Sequence, residues 1–131
     1  RPPAAVVMCA NMGSVKRILV VDDDVSILSF LSRALTAYEV TIAHDGREAL
    51  ALATGSPLDL LITDYLMPEM TGAELIARLR ERRPDLKALV ITGHGDVLDR
   101  EAPQWWLDVA HIAKPFRIQV LRDAIDNLIG A

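Results

Sequence analysis

Short runs of hydrophobic residues alternate with longer segments in which apolar and polar residues are mixed. The runs occupy residues 18–21, 40–43, 60–63, 88–92 and 109–113. Most are apolar at successive positions, which is typical of parallel strands that are covered on both faces. The sequence therefore predicts five buried strands, of which the last is the weakest because His111 interrupts it.

The segments between these runs repeat apolar residues at the spacing of one helical face. The sets are Ile27, Leu28, Leu31, Ala34 and Leu35; Leu75, Ile76 and Leu79; and Leu121, Ala124, Ile125 and Leu128. Thr71 and Glu74 have the spacing of a capping box at the start of the second set, and Pro84 closes that helix. A shorter helix is predicted over residues 45–52, between Asp45-Gly46 and Gly55-Ser56-Pro57.

The segment before the last strand, residues 96–108, lacks a sustained helical stripe. Pro103 removes a backbone donor, and it pushes Ala102 out of the α region. We expect one short helical turn near residues 97–101 and another near 103–107, with a mobile join between them. One of Trp105 and Trp106 is expected to cap the edge of the core, and the other to be partly exposed.

This order of elements predicts an α/β fold with a doubly wound parallel sheet. Ligands of such sheets gather at the carboxyl ends of the strands. Asp22-Asp23-Asp24 ends the first strand, Asp64 the third and Thr92 the fourth, and Lys114 follows the fifth. The fold would therefore bring carboxylates, a hydroxyl group and an ammonium group to one edge of the sheet.

Clustered carboxylates need an explanation because two of them about 4 Å apart repel by about 4 kcal/mol at an effective dielectric near 20. Asp24 is accounted for as a helix N-cap, whereas Asp22 and Asp64 are not. A fold tolerates such a pair when a cation or a shifted titration offsets the repulsion. Hard oxygen ligands of this kind suit Mg²⁺, which is the predicted cofactor.

The composition of the chain argues against several kinds of function. A hydrophobic fraction of 51% is enough for a core, and a net charge of −4 argues against a nucleic-acid surface. The arginines of residues 78–83 are interpreted as the solvated face of a helix. No apolar run is long enough to span a membrane, so no membrane contact is expected. The single cysteine, Cys9, suits a reducing compartment, and a cytoplasmic location is predicted.

Five motifs together resemble the receiver domain of two-component response regulators. They are Ile18-Leu19-Val20-Val21-Asp22-Asp23-Asp24, Ile62-Thr63-Asp64-Tyr65-Leu66-Met67-Pro68, Thr71-Gly72, Ile91-Thr92-Gly93 and Lys114-Pro115-Phe116. Their order and spacing assign residues 17–131 to a receiver domain and residues 1–16 to an N-terminal tail or linker. The resemblance, rather than the periodicity, implies a flavodoxin-like sheet of order 2-1-3-4-5 and a cis Lys114–Pro115 bond.

The resemblance also implies a metal site. Asp23, Asp64 and the backbone carbonyl of Leu66 would bind Mg²⁺ directly, while Asp22 would hold metal-bound water.

It further implies that Asp64 is the nucleophile and phosphorylation site, forming an acyl phosphate. Lys114 and Thr92 would each contact a phosphoryl oxygen. The expected partner is a histidine kinase or a phosphotransfer domain, and a homodimer is left open. Such a chain is a self-phosphorylating acceptor and not an enzyme.

Two departures from the family bear on how a signal leaves the domain. The family usually has Tyr or Phe where this chain has His111, and a small-residue turn where it has Trp105-Trp106-Leu107-Asp108. An exposed tryptophan beside His111 is one hypothesis for a replacement docking surface.

Several alternatives stay open. A haloacid-dehalogenase-like phosphohydrolase also uses a strand-end aspartate, but that family needs an Asp-x-Asp motif and a cap domain. A flavodoxin-like FMN module needs a phosphate loop where this chain has acids. A pseudo-receiver would not need the complete set of acids, threonine and lysine. The chain begins with Arg1, and it is expected to be a stand-alone receiver or, preferably, the C-terminal receiver of a hybrid histidine kinase.

Overall fold

A computed structural model describes residues 15–93, 95–101 and 103–130. The strands are β1 (Arg17–Val21), β2 (Glu39–Ala43), β3 (Leu60–Asp64), β4 (Lys87–Thr92) and β5 (Ala110–Ala113). The helices are α1 (Val25–Ala34), α2 (Gly46–Ala53), α3 (Gly72–Arg80), α4 (Gly95–Glu101), α5 (Gln104–Leu107) and α6 (Ile118–Ile129). The strands form one parallel sheet in the order β2-β1-β3-β4-β5, which confirms the doubly wound fold and the strand order 2-1-3-4-5. Most of the predicted tail, residues 1–14, lies outside the described residues.

The sheet is covered on both faces, as the uninterrupted hydrophobic runs predict. Along β1, Leu19 and Val21 belong to the core on the side of α2 and α3. Ile18 and Val20 belong to the core on the side of α1 and α6. Alternate residues of the three central strands, β1, β3 and β4, serve opposite cores. The edge strands β2 and β5 are each buried at one position only.

Side-chain caps fix where the helices begin after the strands. Asp24 accepts a hydrogen bond from the N–H of Ser26 at the start of α1, as predicted. Thr71 and Glu74 form the predicted capping box of α3. The caps thus end a short loop, residues 22–24, between β1 and α1 and a longer one, residues 65–71, between β3 and α3.

The arginines of residues 78–83 are only partly the solvated face that the sequence predicted. Arg78 and Arg82 are exposed, but Arg80 donates two hydrogen bonds to the carbonyl of Leu86, of 2.9 and 3.1 Å. Arg83 donates to the carbonyl of Ala53, the last residue of α2, and to that of Ser56 beyond the helix end. A guanidinium group carries several donors in a fixed plane, so it can satisfy the unpaired carbonyls at a helix end.

The predicted break around Pro103 is confirmed. Helix α4 begins at Gly95, two residues earlier than expected, and α5 is a separate helix that starts after Pro103. The two are tied together because the indole N–H of Trp106 donates to Asp99 Oδ1 at 2.9 Å. The predicted mobile join falls on Ala102, which lies outside the described residues.

The two tryptophans divide as predicted, since Trp106 is 2% exposed and Trp105 is half-buried. The hypothesis of an exposed tryptophan beside His111 is wrong, however. The ring stacked on His111 is that of buried Trp106, with centroids 3.6 Å apart and planes 16° apart. The hydrogen bond to Asp99 removes the cost of burying the indole N–H, which is why this ring lies in the core.

Across the described part of the chain, none of the helices combines the length and the apolar character needed to cross a bilayer.

Candidate functional site

The parallel register brings the ends of four strands to one edge of the sheet. Asp64 pairs with Ile91 across β3 and β4, and Thr92 pairs with Ala113 across β4 and β5. Asp22 follows β1 directly, next to the end of β3. Residues that are far apart in sequence therefore meet at this edge, as the sequence predicted.

Three carboxylates form the centre of the site. One carboxylate oxygen from each of Asp22, Asp23 and Asp64 lies within 4.8 Å of the other two. Asp22 is only 2% exposed, whereas Asp23 is exposed to solvent. The cluster therefore joins a buried anion to an anion that solvent can reach.

Lys114 supplies the opposite charge. Its Nζ donates to Asp22 Oδ2 at 2.9 Å and to Asp64 Oδ2 at 3.2 Å. Its backbone N–H donates to the carbonyl of Thr92 at 2.9 Å, and the Lys114–Pro115 bond is cis, as the resemblance implied. Thr92 is fully buried at the end of β4. The structure thus brings the predicted carboxylates and the predicted lysine into contact, with Thr92 joined to Lys114 through the backbone.

Burial and charge shift the titration of two of these groups. Burial raises the pKa of Asp22, against the hydrogen bonds from the backbone of Asp24 and from Lys114, and the charge of Asp64 raises it further. Partial burial by itself would lower the pKa of Lys114, but its hydrogen bonds and attraction to Asp22 and Asp64 together outweigh burial and raise it. Lys114 therefore stays charged at neutral pH. The ionised form of Asp22 is stabilised by nearby cations.

The main chain around Asp64 is held from two sides. The N–H of Tyr65 donates to Asp64 Oδ1 at 2.7 Å, and the N–H of Gly72 donates to the carbonyl of Tyr65 at 2.7 Å. Tyr65 was not predicted to belong to the site, and nothing in the sequence pattern indicated its bond to Asp64. The only available signal was the Thr71-Gly72 motif at the start of α3.

Gly72 is required by this close approach. A Cβ atom at Gly72 would lie 2.4 Å from the backbone carbonyl oxygen of Asp64. We expect Gly72→Ala to lower the free energy of unfolding by about 1–3 kcal/mol, because the backbone of the Asp64 loop must move away. Urea denaturation measures this change.

Gly95→Ala is the matched control, since Gly95 also begins a helix and a Cβ there would meet nothing within 4 Å. The control should be neutral or slightly stabilising because alanine favours the helix. Equal stabilities of the two variants would contradict the steric role of Gly72.

The donor set fits a hard divalent cation. Carboxylate oxygens and backbone carbonyls are the ligands that Mg²⁺ takes in proteins, usually with several waters retained. Exposed Asp23 leaves one side of the cluster open to such waters. Leu66, whose carbonyl is the fourth predicted ligand, lies in the loop after β3 and is 46% exposed. Its coordination stays a prediction.

Comparisons with known proteins agree with this geometry. The response regulator receiver domain family matches residues 18–126 of the chain. Response regulator receiver protein CpdR of Brucella abortus is 39% identical over 121 residues, covering 88% of this chain and 98% of that protein. Response regulator MprA of Mycobacterium avium is 39% identical over 110 residues, covering 80% of this chain but only 47% of MprA.

A solved structure shows the same fold. Response regulator protein TrrA of Thermotoga maritima, in complex with Mg²⁺-BeF, is 31% identical with a TM-score of 0.77, over 87% of this chain and 99% of TrrA. The chain therefore belongs to the response regulator receiver domain family, the signalling domains of two-component systems. Membership speaks against the flavodoxin-like and haloacid-dehalogenase-like alternatives.

Proposed function

We propose that this domain accepts a phosphoryl group on Asp64 from the phosphohistidine of a histidine kinase or phosphotransfer domain. The observation that supports this most strongly is the contact of Lys114 Nζ with Asp64 Oδ2 inside the carboxylate cluster. A lysine in this position neutralises charge where a phosphoryl group would arrive. A pseudo-receiver would not need this arrangement.

The chemistry requires little of the protein besides position and charge. A carboxylate oxygen of Asp64 attacks phosphorus, and a P–O bond forms as the P–N bond to the donor imidazole breaks. The imidazole nitrogen keeps the bonding pair and takes up a proton. Lys114 would hold one phosphoryl oxygen, and the hydroxyl group of Thr92 another. The domain accepts a group and does not turn over a substrate, so it is not an enzyme.

Magnesium is part of this proposal. Asp22, Asp23, Asp64 and the carbonyl of Leu66 would hold the ion or its waters, and bound Mg²⁺ would neutralise developing charge on the phosphoryl oxygens. The Mg²⁺-BeF complex of TrrA supports this proposal. The cytoplasmic location, the homodimer and the parent hybrid kinase stay predictions.

Labelling tests the proposed function. Incubated with phosphoramidate, a small P–N donor, and Mg²⁺, the protein should gain one acid-stable, alkali-labile phosphoryl group by intact mass. Asp64→Asn should gain none because an amide is not a competent nucleophile here.

Asp85→Asn is the control, since Asp85 is exposed in the loop before β4, at the opposite end of the strands. It should be labelled like the wild type. Labelling of Asp64→Asn to the same extent would refute the proposed function.

A further inference from the structure

Four aromatic side chains form a continuous row from the loop after Asp64 to β5. The ring of Tyr65 stacks on Trp105, with centroids 5.4 Å apart and planes 15° apart. Trp105 meets Trp106 edge to face at 5.6 Å and 75°, and Trp106 stacks on His111. We call Tyr65, Trp105, Trp106 and His111 the aromatic row.

At the other end of the row, His111 is exposed but stacks on a ring that is anchored in the core. Trp106 is 2% exposed, its N–H is bonded to Asp99, and its ring lies against that of His111. Any rotation of His111 towards Thr92 would forfeit this stacking, and moving Trp106 would open a gap in the core. This end of the row is therefore poorly suited to report a change at the acidic cluster.

The Tyr65 end is joined directly to Asp64 through the hydrogen bond of 2.7 Å from the Tyr65 N–H to Oδ1. A hydrogen bond to an ionised acceptor is roughly twice as strong as one to a neutral acceptor. Formation of an acyl phosphate removes the negative charge from the Asp64 carboxyl group. The bond from Tyr65 must then weaken, and the restraint on its peptide is released.

The side chain on the other side of the Tyr65 ring, Trp105, is less tightly held than Trp106. Trp105 is half-buried and belongs to α5, a helix of four residues whose N-cap, Pro103, makes no side-chain cap bond. Trp106 anchors α5 in the core, so the part of this helix that can respond is the half-buried Trp105 side chain. Leu107, at the end of the same helix, is 65% exposed, so a change in the position of Trp105 occurs on a helix that a partner can contact.

We propose that the Tyr65–Trp105 stack carries the phosphorylation state of Asp64 to α5, in place of a moving aromatic side chain at His111. Tyr65 is a positioning residue in this arrangement, because it acts through Trp105 and not on the phosphoryl group. The inference rests on the proposed function of Asp64.

The tryptophan fluorescence emission of the full chain tests whether the Tyr65–Trp105 stack responds to phosphorylation. The spectrum is recorded with Mg²⁺ alone and again after addition of acetyl phosphate, while intact mass reports labelling in the same samples. We expect phosphorylation to change the wild-type emission. The change should be lost in Trp105→Phe, which keeps Trp106, and in Tyr65→Leu, which keeps an apolar side chain but removes the ring.

Trp105→Phe and Tyr65→Leu should still be phosphorylated. Loss of the emission change without loss of labelling is a result that a merely structural role would not produce. Tyr65→Phe retains the stacked ring and should retain the emission change, and so should His111→Ala. An emission change that survives in Tyr65→Leu but disappears in His111→Ala would overturn the inference.

The two proposals fail in different ways. A wild-type protein that is not labelled would remove the proposed function. A labelled wild type whose emission does not change, or whose change persists in Trp105→Phe, would remove only the role of the Tyr65–Trp105 stack.

Discussion

Replacing Lys114 with methionine is expected to lower the free energy of unfolding by about 3 kcal/mol at neutral pH without added metal. Methionine keeps the apolar stem but removes the ammonium group that lies 2.9 Å from Asp22 Oδ2 and 3.2 Å from Asp64 Oδ2. The side chain of Asp22 is only 3% exposed, so water cannot take the place of that cation. Breaking a buried ion pair from one side leaves the remaining charge without compensation, which is the costly case.

The loss of unfolding free energy in Lys114→Met should become smaller as the pH falls. Without Lys114, the pKa of Asp22, which burial already raises above its ordinary 3.8, rises further. A carboxyl group whose pKa is higher in the folded than in the unfolded protein takes up a proton on folding. Its unfavourable effect sets in as the pH rises from 3.8 through the folded pKa and is absent below that interval.

Urea denaturation across this pH range measures both effects. Lys87→Met is the control, because Lys87 is an exposed lysine at the start of β4, at the opposite end of the strands. It should change stability by less than about 0.5 kcal/mol. Equal stabilities of the Lys114 and Lys87 variants would show that the ammonium group does not compensate the cluster.

Added Mg²⁺ is expected to stabilise the wild-type protein by about 2.7 kcal/mol at a hundredfold excess over its Kd, provided that it binds only the folded state. The physical cause is the repulsion among Asp22, Asp23 and Asp64, whose oxygens lie within 4.8 Å of one another. Thermal unfolding should therefore show a Tm that rises with Mg²⁺ concentration.

Asp23→Asn separates specific binding from general screening. This variant should gain less from Mg²⁺ because it lacks one ligand, and its metal-free form should be at least as stable as the wild type because one repulsive charge is gone. Asp85→Asn should respond like the wild type, and NaCl of equal ionic strength should not reproduce the rise. A wild-type Tm that does not depend on Mg²⁺ would mean that the cluster is not a metal site.

The strands and most helices were predictable because each depends on its own periodicity. Residues 60–63 are hydrophobic at every position but the last, and that is sufficient to indicate a strand buried on both faces. The strand order was not derivable in this way, since hydrophobic periodicity does not say which strands are neighbours. It came from the resemblance that the motifs carry.

The acidic site was predictable for a similar reason. Parallel strands end at one edge, so Asp22, Asp64 and Lys114 had to approach one another once the sheet was assigned. The bond of Tyr65 to Asp64 and the steric need for Gly72 were not predictable. Both depend on how α3 is placed against the loop after β3, at a scale of tenths of an ångström.

The sequence by itself determined the class of fold, the edge at which the charged groups meet and the break at Pro103. Each of these follows from a local pattern or from a rule of topology. Only the tertiary structure decided that Arg83 caps α2, that Trp106 and not Trp105 stacks on His111, and that Trp105 lies against Tyr65. These contacts join side chains of separate elements. A long side chain can reach several partners, and which one it contacts depends on how the helices pack.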